Sequence, residues 1–294
     1  MFYRRKILLA LLDQFGGRLD KISLQKFLFL FTRQQGKKSF HFIPYRFGCF
    51  SFQANADLKT LAIYGLTKET EDYWEKYDNT DFINELKPKD KAAIRFVKSN
   101  YGMLNKEDLI RLTYREFPFF ALNSTIAPNV ITSEELKTVK NQRIIKNKTI
   151  LFTIGYEGIS IEEYINKLIV NDVRVLCDVR KNPLSMKFGF SKKQLQQVCN
   201  GVGIEYNHFP ELGIESNKRR QLKTQEDYGK LFAYYKKVIL KNESNKQNEL
   251  LSLLKSKKRI ALTCFEANIY QCHRKHLAES IAQIDGVNYE IKHI

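Results

Sequence analysis

The sequence predicts an open, mostly parallel, Rossmann-like α/β sheet of about five strands, preceded by a mainly helical, winged-helix-like domain. Three observations lead there. The 294 residues suffice for two cores of ordinary size. Hydrophobic residues at 43% and aromatics at 13% place the chain among globular proteins. The hydrophobic period also changes along the chain: it is helical over residues 1–125, then alternates between buried strand and helix over 150–294. Between them, residues 126–149 carry Pro128, several Asn and Lys residues and one short amphipathic run, SEELKTVKNQRI, and read as a linker.

Composition narrows the setting. No apolar run approaches the ~18 residues of a membrane span. Asp13 interrupts the apolar block of MFYRRKILLALLDQF, which suits an amphipathic helix better than a cleaved leader. Five scattered cysteines, at 49, 177, 199, 264 and 272, make no disulfide framework. A soluble, cytoplasmic protein with reduced thiols is expected. The net charge of +17 predicts a polyanionic partner, with DNA the first choice, although a face of solvated lysines is the plainer reading of the same number.

In the first domain, Ile7, Leu8, Leu11, Leu12 and Phe15 recur at helical spacing, and Gly16-Gly17 ends the run. Ser23 is positioned to cap a second helix, SLQKFLFLFTRQ, apolar on most sides. The aromatic, β-prone stretch FHFIPYRFGCFSF, residues 40–52, reads as a short hairpin or wing. Leu58, Leu61 and Ala62 mark a third helix that stops at Gly65. Helix, helix, wing and helix in about 65 residues is a winged helix-turn-helix inventory. LQKFLFLF followed by PYRFGCFS resembles the toxin–antitoxin Panacea and SocA-like group, with Cys49 where that pattern usually has Pro. Phe82, Leu86, Ile94, Phe96, Val97, Leu109, Ile110 and Leu112 complete the expected core, and nothing before residue 125 forms a catalytic pattern.

In the second domain, ILFTIG (150–155), VRVLCDV (173–179), IEYNHF (204–209), RIALTCF (259–265) and NYEIKHI (288–294) read as strands. SIEEYINKLIV, SKKQLQQVCN, a long helix over 224–240 with a second to Leu254, and a helix over 272–282 alternate with them. Such sheets bind ligands beyond the carboxyl ends of their strands. That edge collects Gly155-Tyr156-Glu157-Gly158, Asp178 with Arg180, His208, and Cys264 with Glu266. Cys272, His273 and Arg274 open the last helix, whose unpaired N–H groups favour an anion.

Taken together, TIGYEG, CDVRKNPLSMKFGFSKKQL, IEYNHFPELG, LTCFEANIYQCHR and a closing KHI resemble the family known as domain of unknown function 488 across residues 150–294. Ile214 departs from its pattern, which usually has a second Gly after Leu212-Gly213. The family name states no activity, so the chemistry rests on the residues.

A Cys264 nucleophile in a phosphate-cradling loop needs an Arg about six residues on, where Tyr270 stands, and the intervening residues lack glycine. A zinc set of Cys264, Cys272, His273 and His276 has no CxxC pair, and neighbours 272 and 273 are expected to diverge on a helix. No metal and no cofactor is therefore expected. The carboxylates carry more. Asp178 and Glu266, with Tyr156 and Glu157 beside them, form a catalytic group able to divide acid and base work on a base–sugar bond. Arg180, Ser185, His208, Cys264, Cys272, His273 and Arg274 are the expected substrate and phosphate contacts. A purely structural reading pairs Asp178 with Arg180 and makes Glu266 a turn cap.

The expected function is a DNA glycosylase acting on a damaged or modified base, in repair or in defence against modified foreign DNA. A metal-dependent nucleotide or phosphodiester hydrolase is one alternative. A redox-responsive DNA-binding regulator without catalysis is another.

Overall fold

Ile7 to Leu12 are all fully buried in the first helix, α1 (Tyr3–Gln14), so that helix is enclosed on every side instead of amphipathic as its sequence suggests. The computed structural model describes residues 1–143, 145–219, 222, 224–285 and 289–294. It divides the chain into units at 1–143 and 144–294.

In the first unit α1 is followed by β1 (Arg18–Asp20), α2 (Lys21–Arg33), β2 (Ile43–Tyr45), β3 (Gly48–Phe50), α3 (Phe52–Ile63), β4 (Thr67–Glu69) and β5 (Tyr73–Lys76). The hairpin expected over 40–52 is β2–β3. A separate antiparallel sheet, in the order β1-β5-β4, was not visible in the sequence, because strands of three or four residues carry no periodicity. Asp20, not Ser23, caps α2: its carboxylate accepts from the N–H groups of Ile22 and Ser23. α4 (Pro88–Tyr101) and α5 (Lys106–Glu116) follow. The expected linker is mostly part of this unit. α6 (Ala127–Val130) and α7 (Ser133–Asn141) pack Ala127, Ile131 and Val139 against Ile110, Tyr114 and Ala121. Ile144, also in that stretch, lies outside the described residues.

The second unit runs β6 (Ile150–Gly155), α8 (Ile161–Val170), β7 (Val175–Asp178), α9 (Lys192–Gly201), β8 (Glu205–His208), α10 (Gln225–Tyr234), a π-helical turn over Tyr235–Leu240, α11 (Ser244–Lys257), β9 (Arg259–Cys264), α12 (His273–Asp285) and β10 (Glu290–His293). Asn288, at the start of the expected last strand, lies outside the described residues. The five strands form one fully parallel sheet in the order β10-β6-β9-β7-β8.

Strand periodicity sends Leu151, Val175, Cys177, Ile260 and Leu262 into a core with Leu231, Leu250 and Leu277 of α10, α11 and α12. The alternate residues Phe152, Ile154, Leu176 and Ala261 are equally buried. On their side Tyr164 of α8 donates to Thr263 Oγ1 at 2.7 Å. Burial on both faces explains why these strands read as continuous apolar runs. The chain passes from β6 to β7 and returns later to lay β9 between them, so β6 and β7 feed connections that part at the carboxyl edge. Among the described residues no helix is long and apolar enough to cross a membrane.

Candidate active site

Parallel register sets Gly155 beside Cys264 and Asp178 beside Thr263, so β6, β9 and β7 end level with one another. A cleft of about 430 Å³ opens there, lined by Tyr156, Arg180, Ser185, Lys187, Arg219, Cys264, Phe265 and His273. Two glycines permit the close approach of its walls. A Cβ on Gly155 would stand 1.9 Å from the Glu266 carbonyl oxygen, and one on Gly213 would stand 2.1 Å from the Lys181 nitrogen.

Asp178 does not face the cleft. It has no exposure, and its oxygens accept from Arg180 Nε at 2.8 Å, Arg180 Nη2 at 2.5 Å, the Arg180 backbone N–H at 3.1 Å and the Tyr206 hydroxyl at 2.6 Å. The expected catalytic role gives way to a positioning one, because every direction from which a substrate could approach the carboxylate is filled. Arg180 is turned instead toward the cleft, donating Nη1 to the Tyr156 hydroxyl at 2.7 Å and to the Phe190 carbonyl at 2.9 Å. The Tyr156 ring stacks on Phe190 with centroids 4.2 Å apart, so this ring presents no free face on that side.

At the end of β9, Cys264, Glu266, Cys272 and His273 meet. Cys264 Sγ lies 3.1 Å from Glu266 Oε2 and 3.7 Å from His273 Nδ1. Cys272 hydrogen-bonds the Cys264 sulfur and, with His273 and Arg219, holds that thiol well below its ordinary value against the opposing effect of burial. Burial and the Cys264 charge push the Cys272 thiol up. Burial also holds the Glu266 carboxyl above its ordinary value, with Cys264 adding to the shift and Arg219 opposing it. The Cys264 thiol donates to Glu266 Oε2. The expectation that residues 272 and 273 diverge fails for a local reason. Cys272 is extended (φ −128°, ψ 136°) and α12 starts only at His273, so both side chains turn to the same place.

The remaining expected site residues separate. Ser185 lines the cleft and hydrogen-bonds Tyr156. Glu157 is exposed and accepts from the Ala267 N–H at 2.9 Å, fastening the β9 loop. Arg274 is 2% exposed and spends its guanidinium on the carbonyls of Glu266 and Ala267, at 2.6 and 3.3 Å, so it braces that loop and does not grip phosphate. His208 faces the Arg180 carbonyl and Lys192, outside the cleft. His276 stays apart from the thiols, beside Glu279. Sequence reasoning missed Lys187, which donates to the Tyr156 carbonyl at 2.6 Å, and Tyr206. It also missed Arg219, which ion-pairs with Glu266 and donates Nη2 to His273 Nδ1 at 2.8 Å. No local pattern marks Arg219; only the fold brings it in.

Residues 160–281 match the family model described as domain of unknown function DUF488. The second unit carries a DUF488 domain. The match spans the ends of β7 and β9 and the start of α12, and so takes in Asp178, Arg180, Arg219, Cys264, Glu266, Cys272 and His273. No curated protein and no solved structure matches the chain at a significant level. The chemistry of this DUF488 domain therefore rests on its geometry.

Proposed function

We propose that the DUF488 domain is an enzyme that acts on DNA and hydrolyses the base–sugar bond of a damaged or modified nucleotide. The observation that supports this reading is Glu266, a carboxyl in contact with the cleft-lining Cys264 and Arg219 and held above its ordinary value by burial and the Cys264 charge. An acid that keeps its proton closer to neutrality is suited to protonating a departing base. The C1′–N bond breaks with its electron pair leaving on the base, which takes the Glu266 proton. Water adds to C1′, and its released proton restores Glu266.

Arg180, Lys181 and Lys187 line the same cleft and supply positive charge for the phosphates flanking a flipped nucleotide. Phe265 is 43% exposed at the cleft and offers a ring on which a flipped base can stack. Exposed Leu184 and Met186 on the cleft's rim suit a wedge against unstacked bases. The first unit is read as the DNA-contacting module: its helices α1, α2 and α3, with the β2–β3 hairpin between the last two, support a winged-helix-like reading, and the net charge of +17 supports a polyanion.

An abasic-site assay on a panel of natural and modified DNAs tests the reading. Alkali-labile sites are expected with the wild-type chain and not with Glu266→Gln. DNA that is bound tightly but never yields an abasic site, whatever its modification, sinks it.

A further inference from the structure

Three donor atoms at the end of β9 answer to a chemistry that base hydrolysis alone does not use. The sulfurs of Cys264 and Cys272 and a ring nitrogen of His273 all lie within 4.8 Å of one another. Bonds of about 2.3 Å to sulfur and 2.0–2.1 Å to nitrogen, at a tetrahedral angle, put a sulfur and a nitrogen on one zinc ion roughly 3.6 Å apart. Cys264 Sγ and His273 Nδ1 are 3.7 Å apart. His273 is already oriented as a ligand. Its Nε2 lies 3.0 Å from the Val179 carbonyl, which can only accept, so Nε2 carries the proton and Nδ1 turns its lone pair toward the sulfurs.

We propose that Cys264, Cys272 and His273 bind one zinc-class divalent ion, with its fourth position open to the cleft. Cys264 and His273 line that cleft, and Glu266 stands beside Cys264, next to the place of the ion. Two thiolates and an imidazole favour zinc over magnesium or calcium, which take oxygen ligands.

Arg219 supports the same conclusion from the other side. Its guanidinium sits among these donors, paired with Glu266, 2.8 Å from His273 Nδ1 and 4.0 Å from Cys264 Sγ. The cluster thus attracts a cation, and the one it holds comes from a short turn, Ser216–Arg219. The Arg219 Nε is buried without a partner, so the side chain fits the position imperfectly. Ion and guanidinium compete for one place, and binding of the ion swings Arg219 out.

The test is a titration of the reduced, full-length chain with cobalt(II), followed by displacement with zinc. One equivalent per chain is expected, with a thiolate-to-cobalt charge-transfer band and the visible bands of a tetrahedral site. Cys272→Ser is expected to lose this binding, and Arg219→Ala to shift the titration to lower cobalt concentration. X-ray absorption of the zinc-loaded wild type needs no variant and is expected to show sulfur and nitrogen neighbours. Absence of stoichiometric uptake by reduced wild type overturns the proposal. So does an all-oxygen shell, or undiminished binding in a folded Cys272→Ser chain. Uptake is read without DNA, so it can fail while base release stands, and the reverse.

Discussion

The Asp178 carboxylate and the Arg180 guanidinium, two residues apart at the end of β7, close a bidentate pair at 2.8 and 2.5 Å in a place where neither is more than 6% exposed. A buried pair of this kind contributes little when intact, but it costs a great deal to break, because the survivor is left as an uncompensated charge. Asp178 therefore aims Arg180 at the cleft instead of reacting there.

Asp178→Asn is expected to destabilise the second unit by about 3–5 kcal/mol. Thermal or denaturant unfolding measures this directly. An Asn variant as stable as wild type but without activity would restore a chemical role for Asp178.

Glu266→Gln is expected to keep the fold and lower base release by a factor on the order of 10²–10⁴, the usual share of a general acid. The two chains should also differ in how stability varies with pH. Glu266 is held above its ordinary value of 4.5 in the folded state, so its contribution is fully present below pH 4.5 and is lost as pH rises through the folded value. Unfolding curves of wild type and variant should separate over that window. Parallel curves would mean that Glu266 does not retain its proton.

Gly155→Ala is expected to cost roughly 1–3 kcal/mol as overpacking. The added carbon meets backbone, not a flexible side chain, so the β9 loop must move and carry Glu266 with it. Activity should fall by more than stability alone explains, as read from kcat at a temperature where the variant remains folded.

Lys26 supplies a test in the first unit. Its amine is fully buried, donates to the Phe47 carbonyl at 2.9 Å and sits 5.0 Å from the Tyr114 ring. Burial lowers its pKa from 10.5, so its favourable contribution is present above pH 10.5 and is lost as pH falls through the folded value. Lys26→Met should remove that part of the pH dependence. The difference in melting temperature between wild type and variant, followed upward into alkaline pH, measures it.

How much of this was legible in the sequence differs by kind of residue. The three central strands were readable because burial on both faces leaves apolar runs, such as Ile150 to Phe152 and Ile260 to Leu262. The gathering of Tyr156, Arg180, Cys264 and His273 at one edge followed from parallel topology alone. The state of Asp178 was not readable, since it depends on a Tyr206 hydroxyl arriving from β8. Nor was the turn of Cys272 toward Cys264, which depends on one extended residue before α12. Arg219 enters from 54 residues before His273, and sequence spacing says nothing about such a meeting.

The middle strand of the sheet is β9, yet it is the fourth of the five to leave the ribosome. Until Cys264 emerges, β6 and β7 each hold an unpaired edge toward a vacant central slot, and no partial sheet of the first three strands can close it. The site is thus withheld from the nascent chain. A half-made protein lacks Cys264 and the cleft that β9 completes, but its β6 and β7 carry open edges, so dependence on chaperones during synthesis should be concentrated in the interval between residues 178 and 264.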